Sequence, residues 1–219
     1  MENSSEKILA KKIFQLLKKN YPDPKPALKY SNPFELLIAT ILSAQCTDER
    51  VNIVTNSLFN KYKNPEDYLK VSDEELEKDI YSTGFYKQKA KSIKRCCKEL
   101  IEKYKGKVPA DFDALTKLSG VGRKTASVIA GNAFGIPAIA VDTHVIRLSN
   151  IFKFVNTKDP EKIEMKLKEL LPKKDWIISS HLLASHGRKI CIARKPKCFD
   201  CFLADICPSF DSINKNKSN

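Results

Sequence analysis

A chain of 219 residues with 42% hydrophobic content has the length to bury a core, as one large domain or two small ones. Lysine and arginine number 39 against 26 acidic residues, and the resulting net charge of +13 points to a polyanionic partner or an acidic membrane surface. No apolar run approaches the ~20 residues of a membrane span, and the N-terminus carries Glu2 and Glu6 without the apolar core of a secretory signal, so an intracellular protein that does not enter membranes is expected.

From the N-terminus, Ile8, Leu9, Ile13, Phe14, Leu16 and Leu17 recur at helical spacing over about Ser5–Lys19, and the run Tyr21-Pro22-Asp23-Pro24-Lys25-Pro26 breaks the helix. Asn32-Pro33-Phe34-Glu35 reads as an N-cap, a first-turn proline and a glutamate closing a capping box, ahead of a helix apolar nearly all round from Phe34 to Ser43. Ser72-Asp73-Glu74-Glu75 repeats the capping-box pattern before a short helix to Tyr81. A long basic amphipathic helix over about Lys87–Tyr104 turns Ile93, Cys97, Leu100 and Ile101 inward. Asp111 caps a short helix into Leu118. Farther on, Asp159-Pro160 starts a helix over Glu161–Leu171, and Asp175 starts another over Trp176–His186 that Gly187 ends. No stretch alternates polar and apolar residues as a half-buried strand does, and the only low-complexity stretch is the polar tail Asn214–Asn219. The expected fold class is all-α.

The segment Leu118–Leu148 is the most informative. Gly120 and Gly122 form a turn before a helical run from Arg123 to about Ala133, and the unpaired amides at such a helix start suit a phosphate. Lys124 stands in that first turn, where the positive end of the helix dipole disfavours an ammonium and favours a neutral, nucleophilic amine. Asp142 precedes a further helical run, Thr143–Ile151. Taken singly, these residues read as an ordinary turn, a solvated lysine and an N-cap.

Cys191, Cys198, Cys201 and Cys207 bring four thiols into 17 residues with the spacing C-x6-C-x2-C-x5-C, a metal signal. The spacing lacks the two separated knuckles common at structural zinc sites and suits a cluster, although by itself it leaves zinc and iron–sulfur both open. Arg194, Lys195 and Lys197 lie in the loop between the first two thiols, where they could meet phosphate. Cys46, Cys96 and Cys97 read as small apolar residues. His181 and His186 are five residues apart in one helix and do not share a face, so they read as packing residues or as residues on the side of a polyanionic partner, and Arg147 as a support for Asp142 or a contact to backbone.

The strings Leu-Ser-Gly-Val-Gly-Arg-Lys-Thr-Ala, from Leu118, and Ala-Val-Asp-Thr-His-Val-Ile-Arg, from Ala140, together with the cysteine spacing, resemble the endonuclease III family of DNA glycosylases over nearly the whole chain, about Ser31–Cys207. The resemblance implies two helical lobes, a central barrel at 26–136 with a helix-hairpin-helix motif and a second lobe of 1–25 plus 137–219, with a DNA-binding cleft between them. It implies a 4Fe–4S cluster on Cys191, Cys198, Cys201 and Cys207. It further implies a bifunctional glycosylase and abasic-site lyase acting on duplex DNA with oxidised pyrimidines or abasic sites, as a monomer associated with DNA inside the cell. Lys124 is then the nucleophile and Asp142 its carboxylate partner, while Gly120, Gly122 and Arg123 meet DNA. Gln45 takes the place of the residue that fills the hole left by a flipped nucleotide. Phe85 stands where the family commonly has a leucine wedge, and Cys46 where it often has alanine. Two alternatives weigh against this reading. A mismatch glycosylase of the same superfamily lacks a lysine at this position and usually carries a further C-terminal domain. A noncatalytic DNA-binding module has no need of both Lys124 and Asp142.

Overall fold

The computed structural model describes residues 2–215, with side chains for 5–214. The helices among them are α1 Glu2–Asn20, α2 Pro33–Leu42, α3 Asp48–Lys61, α4 Pro65–Lys70, α5 Asp73–Ile80, α6 Tyr86–Tyr104, α7 Phe112–Thr116, α8 Arg123–Phe134, α9 Thr143–Ile151, α10 Pro160–Leu170, α11 Trp176–Lys189 and α12 Phe210–Lys215. No strand occurs among the described residues, and the fold is all-α. Of the expected polar tail, Asn214 and Lys215 close α12 and the rest lies outside the described residues. Two compact units are present, one of Pro26–Ile136 and one joining Met1–Lys25 to Pro137–Asn219.

In the first unit α2 is the central helix. Every residue from Leu36 to Leu42 is buried, and α3, α6 and α8 pack around it. An apolar helix without a polar face has no other stable place. Helix starts are set locally: Asn32, Thr47, Asn64, Ser72 and Asp111 each accept a hydrogen bond from the amide three residues on, each worth about 1 kcal/mol. Both expected capping boxes are modified. Glu35 reaches back to the amide of Ser31 at 2.6 Å, and Glu75 pairs with Lys61 at 2.5 Å. Helices α3 and α4 do not figure among the sequence expectations, because α3 is mostly polar and α4 has only six residues.

In the second unit Ala10, Ile13, Phe14 and Leu17 of α1 share a core with Val145 and Leu148 of α9, Ile163 and Leu167 of α10, and Leu182 and Leu183 of α11. Helix α11 starts at Trp176 after Asp175, as expected, although the Asp175 carboxylate does not cap it: it pairs with Lys18 at 2.7 Å and ties α1 to the start of α11. One sequence expectation fails here, because Gly187 does not end the helix, which continues to Lys189. This glycine is a packing position, since a Cβ there would lie 2.7 Å from His144 Nδ1 and 3.0 Å from Arg147 Nη2.

Candidate active site and iron–sulfur centre

The Pro26–Ile136 unit carries the hairpin. Helices α7 and α8 pack on each other, joined by a turn that buried Leu118 and Val121 pin to the core. Gly120 has a left-handed φ of +79°, and a Cβ there would come within 3.1 Å of Ser92 Cβ on α6, so both conformation and space call for glycine. Glu99 of α6 accepts hydrogen bonds from the Ser119 amide at 2.7 Å and its hydroxyl at 2.8 Å. Sequence reasoning missed this anchor, because a glutamate on a basic helix signals only a solvated face. Gly122 differs from Gly120: its φ of −83° is ordinary, and a Cβ there would meet nothing within 4 Å. It caps α8 with no side-chain bond, which leaves the first-turn amides facing an exposed surface where a phosphate can be received. Arg123 lies over the Phe112 ring at 5.4 Å, and the exposed Lys124 is the second residue of α8.

Gln45 and Phe85 are exposed on two other loops of this unit. Both have left-handed backbones, φ 53° and φ 49°, a conformation that costs an L-residue about 1–2 kcal/mol. Such strain gathers where a side chain must be aimed for function. Cys96 and Cys97 are fully buried as expected, and burial pushes both thiols up, Cys96 to about 12. Cys46 is half-buried against the same core.

The other unit holds Asp142 and the four thiols. Asp142 caps α9, its Oδ1 accepting from the Val145 amide at 2.8 Å. The Ser180 hydroxyl accepts from the Ala140 amide at 2.9 Å and holds the segment leading to Asp142. His181 feels the Asp142 charge, yet burial and then Arg188 keep its pKa below the usual imidazole value.

Cys191, Cys198, Cys201 and Cys207 line one cavity together with Ile190, Pro196 and Leu203. Among the described residues no three Cys, His, Asp or Glu side chains close on a point as around a single ion; the thiols stand around the cavity instead. Burial raises the thiol pKa at Cys191, Cys201 and Cys207, and neighbouring thiols add to it. Such sulfurs become thiolates when metal charge compensates them. Donors are already in place: the Leu203 amide to Cys201 Sγ at 3.4 Å, the Ser209 and Phe210 amides at Cys207, and Arg147 Nη1 to Cys191 Sγ at 3.7 Å. An all-thiol ring with N–H donors aimed at sulfur fits an iron–sulfur cluster. His186 is buried beside it, and burial followed by Arg147 lowers its pKa to about 4. Its ring spans Tyr21 Oη at 3.2 Å and Cys201 Sγ at 3.7 Å, so the tautomer satisfying both accepts from Tyr21 and points Nε2–H at the sulfur.

Arg147 holds the cysteine loop to α9. Its guanidinium donates to the carbonyls of Cys191 and Gly187, the latter at 3.2 Å, and lies 3.3 Å from His144 Nδ1. Gly187→Ala forces this cluster of side chains apart, an overpacking that costs about 1–3 kcal/mol. We expect Tm to fall by about 3–10 °C and iron per chain to drop. Thermal melts and iron analysis of the purified variant check this, and unchanged values would mean that His144 gives way freely. Arg194, Lys195 and Lys197 are exposed on the loop between Cys191 and Cys198.

Comparison with known proteins agrees with these features. Residues 38–173 match the family model described as HhH-GPD superfamily base excision DNA repair protein, and residues 191–207 match the iron–sulfur binding domain of endonuclease III. Endonuclease III of Bacillus subtilis is 51% identical over 188 residues, covering 85% of this chain and 86% of that protein. The Escherichia coli (strain K12) enzyme is 43% identical over 202 residues, covering 92% and 96%.

The chain belongs to the endonuclease III family.

It is similar over 95% of its length to an endonuclease III in a non-covalent complex with DNA, which it covers to 98%, with a TM-score of 0.92 and 46% identity. A trapped endonuclease III–DNA covalent intermediate matches over 94% of this chain and 98% of that one, with a TM-score of 0.89 and 46% identity. As a member of that family, the protein is a base-excision-repair DNA glycosylase and abasic-site lyase, its partner is DNA, and its cofactor is a 4Fe–4S cluster. Among the described residues no helix is long and apolar enough to cross a membrane.

Proposed function

We propose that this member of the family removes oxidised pyrimidines from duplex DNA through an imine on Lys124, with Asp142 as the carboxylate partner. The observation that carries the reading is the placement of Lys124 as an exposed amine in the uncapped first turn of α8, directly after a glycine turn open to phosphate. The damaged nucleotide must leave the stack, since its sugar–base bond is out of reach inside the duplex. Gln45 fills the gap and hydrogen-bonds the orphaned base, and Phe85 wedges into the stack. Gly120, Gly122 and Arg123 receive the backbone phosphate, and Arg194, Lys195 and Lys197 add a further phosphate contact.

As the glycosidic bond lengthens, the sugar gains oxocarbenium character, which the Asp142 carboxylate stabilises. Asp142 also accepts a proton from Lys124, whose amine forms a bond to C1′ as the damaged base departs with the bonding pair. Ring opening gives the imine. Loss of a C2′ proton then expels the 3′ phosphate, and water releases the amine. Cys191, Cys198, Cys201 and Cys207 would hold the 4Fe–4S cluster, which would supply structure to the loop carrying Arg194, Lys195 and Lys197. The enzyme works as a monomer inside the cell.

A duplex with one oxidised pyrimidine tests the reading. The expected result is base release with strand cleavage on the 3′ side and a borohydride-stable covalent adduct, neither seen with an undamaged duplex. Base release without an adduct would replace the imine mechanism by a monofunctional one. If neither lesion nor abasic duplex is cut, the reading fails.

A further inference from the structure

One cation in the Pro26–Ile136 unit is used by none of these steps. Lys89, on α6, is 5% exposed, although lysine is among the residue types least often buried. Its ammonium donates to the carbonyl of Leu42 at 2.8 Å and to that of Thr83 at 2.8 Å. Leu42 is the last residue of α2, and Thr83 ends the 3₁₀ turn Tyr81–Thr83, so each carbonyl is a helix-end acceptor lacking a partner further along its helix. A cation is the fitting donor at such negative helix ends. The two bonds keep these oxygens within 5.6 Å of each other, twice 2.8 Å. Burial pushes the Lys89 pKa down, as expected for an ammonium kept out of water by geometry rather than by a carboxylate.

The two carbonyls are the roots of two loops. Three residues after Leu42 comes Gln45, and two after Thr83 comes Phe85, both exposed and both left-handed. The Lys89 amide also donates to the Phe85 carbonyl at 3.0 Å, which closes the first turn of α6. One residue therefore grips the Phe85 loop twice and the Gln45 loop once. Left-handed backbone at a non-glycine residue persists only where its surroundings over-determine it.

We propose that Lys89 is a positioning residue, a buried tie that holds the Gln45 and Phe85 loops in one fixed arrangement so that both side chains enter the duplex together. The proposal rests on the roles given to Gln45 and Phe85 above. Lys89 touches no substrate atom and acts through those two residues.

Lys89→Met keeps the apolar stem and removes both side-chain bonds. The DNA-free holoenzyme is read by hydrogen exchange. Amides of 44–47 and 84–86 are expected to exchange at least about tenfold faster in the variant, with those of 118–122 unchanged. Single-turnover excision of a paired oxidised pyrimidine is expected to slow about 10- to 100-fold, while cleavage at a preformed abasic site, which has no paired base to displace, slows less than about threefold. In combination with Gln45→Ala or Phe85→Ala the loss should fall short of the product of the single losses, because the changes interrupt one action. A stability defect alone slows both substrates alike and multiplies with the loop changes; that pattern overturns the proposal. Unchanged exchange in the two loops, with Gln45→Ala and Phe85→Ala impaired, overturns Lys89 as the tie and leaves the loop roles standing. If those two alanine variants excise normally, the roles of Gln45 and Phe85 fall and the proposal falls with them. Should Lys89→Met fail to fold, Lys89→Gln, which keeps an N–H donor, carries the same comparison.

Discussion

Lys124→Ala is expected to abolish the borohydride-stable adduct and to lower lesion excision by about three orders of magnitude or more, with folding and DNA binding almost untouched. The size follows from the role: without the amine there is no covalent path, and only positioning and electrostatics remain. Stability should hold because Lys124 is exposed at the second position of α8, where alanine is the better helix former and no longer opposes the helix dipole; the net change is within about 1 kcal/mol. Binding loses one cation from a chain of net charge +13, so duplex affinity should change by only a few-fold. Trapping on an oxidised-pyrimidine duplex, a thermal melt and a binding isotherm make the test. An adduct that survives the substitution would move the nucleophile to another amine.

Asp142→Asn is the sharper test of the second catalytic group, because it separates charge from structure. The carboxylate caps α9 through the 2.8 Å bond from the Val145 amide, and asparagine caps a helix about as well as aspartate does. The fold therefore stays, with Tm within about 4 °C of wild type after loss of the charge–dipole contribution. Excision of an oxidised base should fall about 10²–10³-fold, the usual scale for removing one well-placed electrostatic stabiliser. Cleavage of a preformed abasic duplex should fall by less than about tenfold, since no glycosidic bond remains to break. Single-turnover rates on the two substrates read the difference. Equal losses on both would show that Asp142 acts only on the lysine or on the fold. Asp142→Ala adds loss of the cap, about 1 kcal/mol, and is the poorer experiment for that reason.

Much of this chemistry was legible because it depends on short-range pattern. Asn32 with Pro33, Asp111, and Asp159 with Pro160 mark helix starts through bonds that span two or three residues, and the structure contains those bonds. Four cysteines within 17 residues can reach one cavity whatever the rest of the chain does. The glycine turn before Arg123 and Lys124 is local in the same sense, and α8 starts where the pattern puts it. Arg147 contacts backbone, one of its two expected uses, although sequence could not name Cys191 and Gly187 as its acceptors.

Other features needed the third dimension. Gly187 carries the ordinary signal of a helix end, and only its approach to His144 and Arg147 makes it a packing glycine inside α11. Asp175 looks like a cap until Lys18, far away in sequence, takes its carboxylate. Glu99 and Lys89 belong to a helix rich in charge, where each reads as one more solvated side chain; burial and distant partners single them out. The left-handed backbones of Gln45 and Phe85 carry no glycine to announce them. By itself, then, the sequence determined the helix starts, the all-α class, the thiol set and the lysine and aspartate proposed for catalysis, because each rests on neighbours along the chain. Tertiary structure alone decided how the hairpin turn is anchored, what braces the cluster loop and which residue ties the two strained loops, because those bonds, apart from the one between Lys89 and Thr83 six positions away, join residues 15 to 47 positions apart that no local pattern relates.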